Sequence, residues 1–151
     1  MEDKVVWHYK LFEELTAKEL YQIIQLRNEV FVIEQDCIYQ DADGKDYSCG
    51  HLWATINQEI VAYSRIVPKG ISYKNEPSIG RVVSSGKHRG FGLGKQLISN
   101  SIQVIENRLF SSSIRISAQL YLKAFYESFD FEQVSEPYLE DDIPHIEMLR
   151  K

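Results

Sequence analysis

One stretch, residues 78–110, constrains this chain more than any other. It opens on the apolar run Ser78-Ile79-Gly80-Arg81-Val82-Val83-Ser84 and passes into Lys87-His88-Arg89-Gly90-Phe91-Gly92-Leu93-Gly94-Lys95, a polar turn holding three glycines. Leu93, Leu97, Ile98, Ile102, Ile105 and Leu109 then recur at helical spacing. A strand, a glycine turn and a helix in that order present unpaired N–H groups to an anion. The first turn of a helix has free donors, and the helix dipole adds partial positive charge. Gly90, Gly92 and Gly94 leave out the side chains that would hold a phosphate off, and Arg89 and Lys95 add mobile charge. Two familiar phosphate loops do not fit. Gly94-Lys95 is followed by Gln96 where a nucleotide P-loop has Ser or Thr. A dinucleotide turn needs a glycine three after its second; from Gly92 that position is Lys95, and from Gly94 it is Leu97.

With 151 residues the chain is long enough for a real core, and one domain over residues 1–151 is expected. No apolar run approaches the length of a membrane span, and the first residues carry no signal-peptide pattern, so a cytoplasmic protein with no membrane partner is expected. The formal charge of −5 and the lack of a dense basic run argue against nucleic acid. A small cationic or neutral substrate suits the acidic balance better. Cys37 and Cys49 have no zinc-ligand spacing and read as free thiols.

Val5 to Tyr9 reads as a first strand. Thr16-Ala17-Lys18-Glu19 is a capping box, and the helix it starts lines up Leu20, Ile23, Ile24, Arg27 and Phe31 on one side. An arginine on that side needs either a partner or a route for its head to solvent. From Glu34 to His51 the chain becomes an acidic, irregular loop with Asp36, Asp41, Asp43, Gly44 and Asp46. The distal Glu that a calcium loop needs is missing, and no metal is expected. His51–Ile56 and Ile60–Val67 read as two strands joined through Asn57-Gln58-Glu59. After the central stretch come a strand from Ser113 to Ala118, a short helix from Tyr121 to Phe129, a strand from Phe131 to Val134, an acidic loop from Pro137 to Pro144 and a last strand from His145. The alternation predicts a mixed α/β fold, a central sheet with helices on both faces.

The turn Arg89-x-x-Gly92-x-Gly94 resembles the pyrophosphate signature of the GNAT superfamily of N-acetyltransferases. Further segments, Arg27 to Gln35, Asp43-Gly44-Lys45-Asp46, Ile79-Gly80-Arg81-Val82, Ala118-Gln119, Tyr138 to Asp141 and Pro144-His145-Ile146, are similar to the ElaA branch of that superfamily. The resemblance covers nearly the whole chain. It implies the GNAT fold, with a largely antiparallel sheet splayed near its middle, acetyl-CoA as donor, and transfer to the primary amine of a small molecule or peptide. It also implies that Val82, Val83, Ser84, Arg89, Gly90, Gly92, Leu93, Gly94, Lys95 and Gln119 hold the donor, and that Tyr126 is the general acid. Strand core would equally explain Val82 and Val83, and a core aromatic would equally explain Tyr126. The chain departs from the superfamily pattern at Asp130, at Asp142 and at Gln119, where asparagine is usual. A second likeness joins Arg27, Phe31, Asp43, Asp46 and Arg65 to the polar set of acyl-homoserine lactone synthases, which share the fold. Of these, Arg27, Asp43, Asp46 and Arg65, with Glu140, are the expected acceptor side. Glu34 and His145 are the leading candidates for the base, beside Glu140, Asp141, His51 and a water chain. Two alternatives stay open beside acetyl transfer, a synthase-like acyltransferase and a CoA-binding module without catalysis. The sequence leaves the acceptor and the oligomeric state open, a homodimer included.

Overall fold

The computed structural model describes residues 4–89 and 92–151. In chain order its elements are strand β1 (Val5–Leu11), helix α1 (Ala17–Arg27), strands β2 (Gly50–Ile56), β3 (Glu59–Val67) and β4 (Ser78–Ser84), helix α2 (Leu93–Arg108), strand β5 (Ile114–Gln119), helix α3 (Lys123–Glu127), and strands β6 (Phe131–Gln133), β7 (Tyr138–Glu140) and β8 (Ile143–Arg150). β1-β2-β3-β4 form one antiparallel sheet. The second is β5-β8-β6, with β7 pairing on β8 beyond β6. The expected mixed α/β fold with a splayed, largely antiparallel sheet is therefore present.

The capping box forms. Thr16 Oγ1 accepts from the Glu19 N–H at 3.1 Å, and Glu19 Oε1 accepts from the Thr16 N–H at 2.9 Å. α1 lays Ile23 and Leu26 on one face of the first sheet, where they meet Trp53, Tyr63 and Val83. α2 covers the other face with Leu93, Leu97, Ile98, Ile102 and Ile105, packed against Leu52, Ala54, Ala62 and Ile66. The same core continues into the second sheet through Ile114, Ile116, Phe131, Ile146 and Met148. Burying these aliphatic side chains contributes roughly 1.5–3 kcal/mol each.

Three features differ from the expectation. The helix predicted to carry Phe31 widens after Arg27 into a π-helical segment, Asn28–Glu34. The acidic loop after Pro137 contains β7, because Asp141 (φ 50°) and Asp142 (φ 64°) make a tight turn with both central residues in the left-handed region, which aspartate tolerates. Asn57 and Gln58 turn the β2–β3 hairpin in the same way, at φ 51° and 66°. The short helix predicted from Tyr121 begins as a 3-10 turn, Leu120–Leu122.

The two sheets meet at one edge. The Arg115 N–H donates to Pro77 O at 3.0 Å, just ahead of β4 and at the start of β5. Beyond that bond the two strands share no ladder, and a cleft opens between them.

Candidate active site

The cleft has a volume of about 590 Å³. Gly80, Arg81 and Val82 line one wall and Ser117, Ala118 and Gln119 the other. A bulge in β4 shapes the first wall. Tyr63 of β3 faces Val83 and Arg65 faces Gly80, so Arg81 and Val82 together stand opposite Ser64. Arg81 takes φ 50° there. Two residues against one interrupt the ladder and bend the strand, which leaves an edge group free to pair with something else. Val82 lines the cleft, whereas Val83 is buried beneath α1 and belongs to the core. Ser84 keeps its place opposite Ala62, and its carbonyl accepts from Arg89 Nη2 at 3.2 Å.

Gly92 is the N-cap of α2 at φ 75°; among the described residues no side chain caps the first turn, and a Cβ added there would meet nothing within 4 Å. Leu93 anchors this turn in the core. Gly94 looks toward the Phe125 ring at ordinary contact distance, 3.9 Å from a built Cβ. Arg89 forms an ion pair with Glu34, at the end of the π-helical segment. Lys95 lines a separate, shallow depression with Trp7 and Asn100. Gly90 lies outside the described residues.

Beneath the cleft, the acidic loop folds onto three arginines. Arg27 is fully buried. Its Nε donates to Asp41 Oδ2 at 2.7 Å, its Nη1 to Asp46 Oδ1 at 2.8 Å and its Nη2 to Asp41 O at 3.1 Å. Arg65 donates to both oxygens of Asp43, at 2.8 and 3.0 Å, and to Asp46 Oδ1 at 3.1 Å. Arg81 donates from Nη2 to Asp41 O at 3.0 Å and stacks over Tyr39, whose hydroxyl donates to Asp41 Oδ1 at 3.1 Å. Burial opposes the charge on Asp43 and Asp46. The hydrogen bonds and charge of Arg65 outweigh it at Asp43, those of Arg27 and Arg65 outweigh it at Asp46, and both carboxyls sit below their usual range. The expected set of Arg27, Asp43, Asp46 and Arg65 thus comes together, with Phe31, Asp43 and Arg65 on the cleft wall. Its negative charge is already matched by guanidinium groups, so the loop from Asp41 to Asp46 does not by itself call for a cationic acceptor. Arg81 and Asp41 are the members not singled out from the sequence. A single arginine in a strand gives no sign that a bulge will turn it toward a loop about 40 residues away in sequence.

Tyr126 also lines the cleft. Its ring is buried edge-on to Phe125 and Phe131, at centroid distances of 5.2 and 5.9 Å. Its hydroxyl has no hydrogen-bond partner among the described residues, and burial pushes its pKa well above that of a free phenol. His145 stands on β8 between Gln119 of β5 and Tyr138 of β7. Its Nδ1 is 2.7 Å from Ile143 O, and its Nε2 is 3.3 Å from Glu140 Oε2. His51 is committed on both sides. Nε2 lies 3.1 Å from Asp46 O, Nδ1 lies 2.6 Å from the Tyr63 hydroxyl, and burial lowers its pKa, which keeps it neutral. Of the donor and acid positions expected from the sequence, the cleft gathers Val82, Gln119 and Tyr126; the turn positions Arg89, Gly92 and Gly94 lie along the start of α2.

Residues 13–151 match the acetyltransferase (GNAT) domain family. ElaA of Escherichia coli is 40% identical over 149 residues, 97% of each chain, and its crystal structure matches with a TM-score of 0.91 over 98% of this chain and 100% of that one. An acyl-CoA N-acyltransferase from Pseudomonas aeruginosa is 43% identical and matches with a TM-score of 0.93, again over 98% of this chain and 100% of that one. The AHL synthase LasI shares the fold alone, with a TM-score of 0.74 at 14% identity over 98% of this chain and 89% of that one.

Proposed function

The chain belongs to the GNAT family of acetyltransferases, and from that premise we propose that it moves an acetyl group from acetyl-CoA to a primary amine by direct attack. The observation that carries this reading is Tyr126. A phenol is protonated at neutral pH and burial holds this one more firmly so; with no hydrogen-bond partner among the described residues and a place on the wall of the cleft, it is suited to donate a proton to a leaving thiolate.

The donor side has a physical basis in this chain's own groups. The uncapped start of α2 and the open space above Gly92 suit a diphosphate, which the helix N–H groups and Arg89 would bind. Val82 sits where the bulge in β4 leaves the strand edge unladdered, and that edge would pair with the pantetheine amides. A free N–H there would also face the oxyanion that develops as the amine adds to the thioester carbonyl. The C–N bond then forms, the C–S bond breaks, and the thiolate takes the Tyr126 proton. Phe31, Asp43, Arg65 and Glu140 would border the acceptor.

A thiol-release assay with acetyl-CoA tests the reading across alkylamines, polyamines, amino acids and peptides. The expected result is thiol release that depends on the amine and falls as the acyl chain of the donor lengthens. CoA binding without release for any amine would favour a binding module, and preference for long acyl donors would favour the synthase-like alternative.

A further inference from the structure

We propose that Glu140 and His145 form the seat for the acceptor's ammonium group, and that His145 Nε2 takes the proton that must leave before the amine can attack. The proposal rests on the acetyl-transfer reading above and names the acceptor class, a primary alkylammonium.

Ile143 O can only accept, so at 2.7 Å it fixes the proton on His145 Nδ1. In the neutral ring, Nε2 then presents a lone pair, and it does so 3.3 Å from a carboxylate oxygen of Glu140. With the ring protonated the two groups pair directly, and with the ring neutral both are acceptors that one bound donor group can serve together. An ammonium group has three N–H donors and can satisfy both at once. The ring cannot swing away. It stacks on Tyr138 at a centroid distance of 6.2 Å and an interplanar angle of 23°, while the Tyr138 hydroxyl is pinned 2.5 Å from Ser117 Oγ.

Two of the other candidates, His51 and Glu34, are engaged elsewhere. His51 has both nitrogens engaged, Glu34 pairs with Arg89, and the carboxylates of Asp41, Asp43 and Asp46 face arginines. The groups that face His145 are Glu140 and Tyr138 from β7 and Gln119 from β5. Asp141 and Lys45 also line the cleft, beside Tyr73 and the balanced arginine–aspartate set. Burial separates the roles of the pair. His145 is only 6% exposed, whereas the Glu140 side chain is 53% exposed and opens a path to solvent.

The proton balance closes. Of the three ammonium protons, one stays on the product amide. One passes from His145 to solvent along Glu140. The third replaces the proton that Tyr126 gives to the CoA sulfur. The C–N bond forms and the C–S bond breaks, with no oxidant or reductant.

The test uses the full chain, acetyl-CoA and an amine that supports thiol release, with kcat followed from pH 5.5 to 9. His145→Asn keeps a donor near the Nδ1 position and deletes Nε2. It should lower kcat by roughly 10²-fold and flatten the acid limb of the profile, with the CoA dissociation constant changed less than about threefold. Glu140→Gln, at a half-exposed side chain, leaves the fold intact. It should raise KM for the amine severalfold, because the carboxylate that accepts from the ammonium is lost. Unchanged profiles and an unchanged KM in both variants, with the wild type turning over, would overturn the proposal and leave the acetyl-transfer reading standing. If His145→Asn does not fold, Glu140→Gln decides alone. If no amine releases thiol with the wild type, that reading fails and the proposal falls with it.

Discussion

The Arg81 guanidinium lies 2.9 Å from Asp41 Oδ1, an ion pair that fastens the bulge of β4 to the loop following α1. The second oxygen of the same carboxylate accepts from Arg27 of α1 at 2.7 Å. One buried aspartate therefore ties the helix, the loop and the strand that forms a wall of the cleft. The left-handed φ of Arg81, costly for a residue with a Cβ, is held in place by these contacts rather than by the local sequence.

Removing Arg27 tests the weight of this arrangement. Its guanidinium is fully buried, and Asp41 and Asp46 are buried beside it. Arg27→Met fills much of the space but leaves two carboxylates short of a partner. Breaking a buried pair from one side typically costs about 3–5 kcal/mol, and urea denaturation should show a loss in that range. A loss below about 1 kcal/mol would mean that Arg65 and Arg81 suffice to hold the loop.

Acid should act on the same residues. Asp43 and Asp46 have folded pKa values below the unfolded one. A carboxyl lowered in the folded state contributes stability that is present above the unfolded value of about 3.9 and is lost as pH falls through the lower folded value. Stability followed by circular dichroism should therefore show a component that drops as pH falls below about 4. In Asp43→Asn that component should shrink, at the cost of lower stability near neutral pH. Parallel acid curves for the two proteins would remove Asp43 from the account.

What could be read from the sequence was what depends on neighbours in the chain. The strand and helix within residues 78–110 are local, as is the Thr16–Glu19 capping box, and all three form. The need of Arg27 for a partner was legible from its place on an apolar face. Its partners were not, because Asp41 and Asp46 lie 14 and 19 residues on, in a loop without periodicity. The bulge at Arg81 and the β7–β8 turn at Asp141 and Asp142 depend on strand pairing, which one strand's composition does not encode. The widening of the helix covers only Asn28–Glu34, too short a run for periodicity to distinguish it from a continued α-helix. For the site, the resemblance supplied the roles and the sheet pairing supplied the neighbours. Gln119 and Tyr138 flank His145 only because β5 and β7 pair with β8 on opposite sides.

Gly92 tests the donor side. An aspartate there would put a carboxylate in the open space at the start of α2, where a diphosphate is expected, and repel it. Gly92→Asn is the control, since asparagine tolerates the left-handed φ of 75° about as well and carries no charge. Titration calorimetry should show CoA affinity falling at least about tenfold in Gly92→Asp, equivalent to roughly 1.4 kcal/mol, and by less in Gly92→Asn. Undiminished CoA binding by a folded Gly92→Asp variant would mean that the start of α2 is not the diphosphate site.

Tyr126 separates catalysis from binding. The Tyr126→Phe variant keeps the ring and its edge-on contacts with Phe125 and Phe131, so the fold should survive. It deletes only a hydroxyl that has no partner among the described residues, so no buried group is left unsatisfied by the change. A thiolate is a far better leaving group than an amine, so acid assistance should lie at or below the low end of the usual range of about 10²–10⁴-fold. The expected outcome is a lower kcat with the CoA dissociation constant changed less than about threefold, under roughly 0.7 kcal/mol. Wild-type turnover by Tyr126→Phe, with chemistry rate-limiting, would make Tyr126 a core aromatic and move the acid to another group on the cleft wall. A fall in CoA affinity matching the fall in kcat/KM would instead assign its hydroxyl to donor binding, because an interaction made equally in the ground and transition states changes affinity without changing the chemical step.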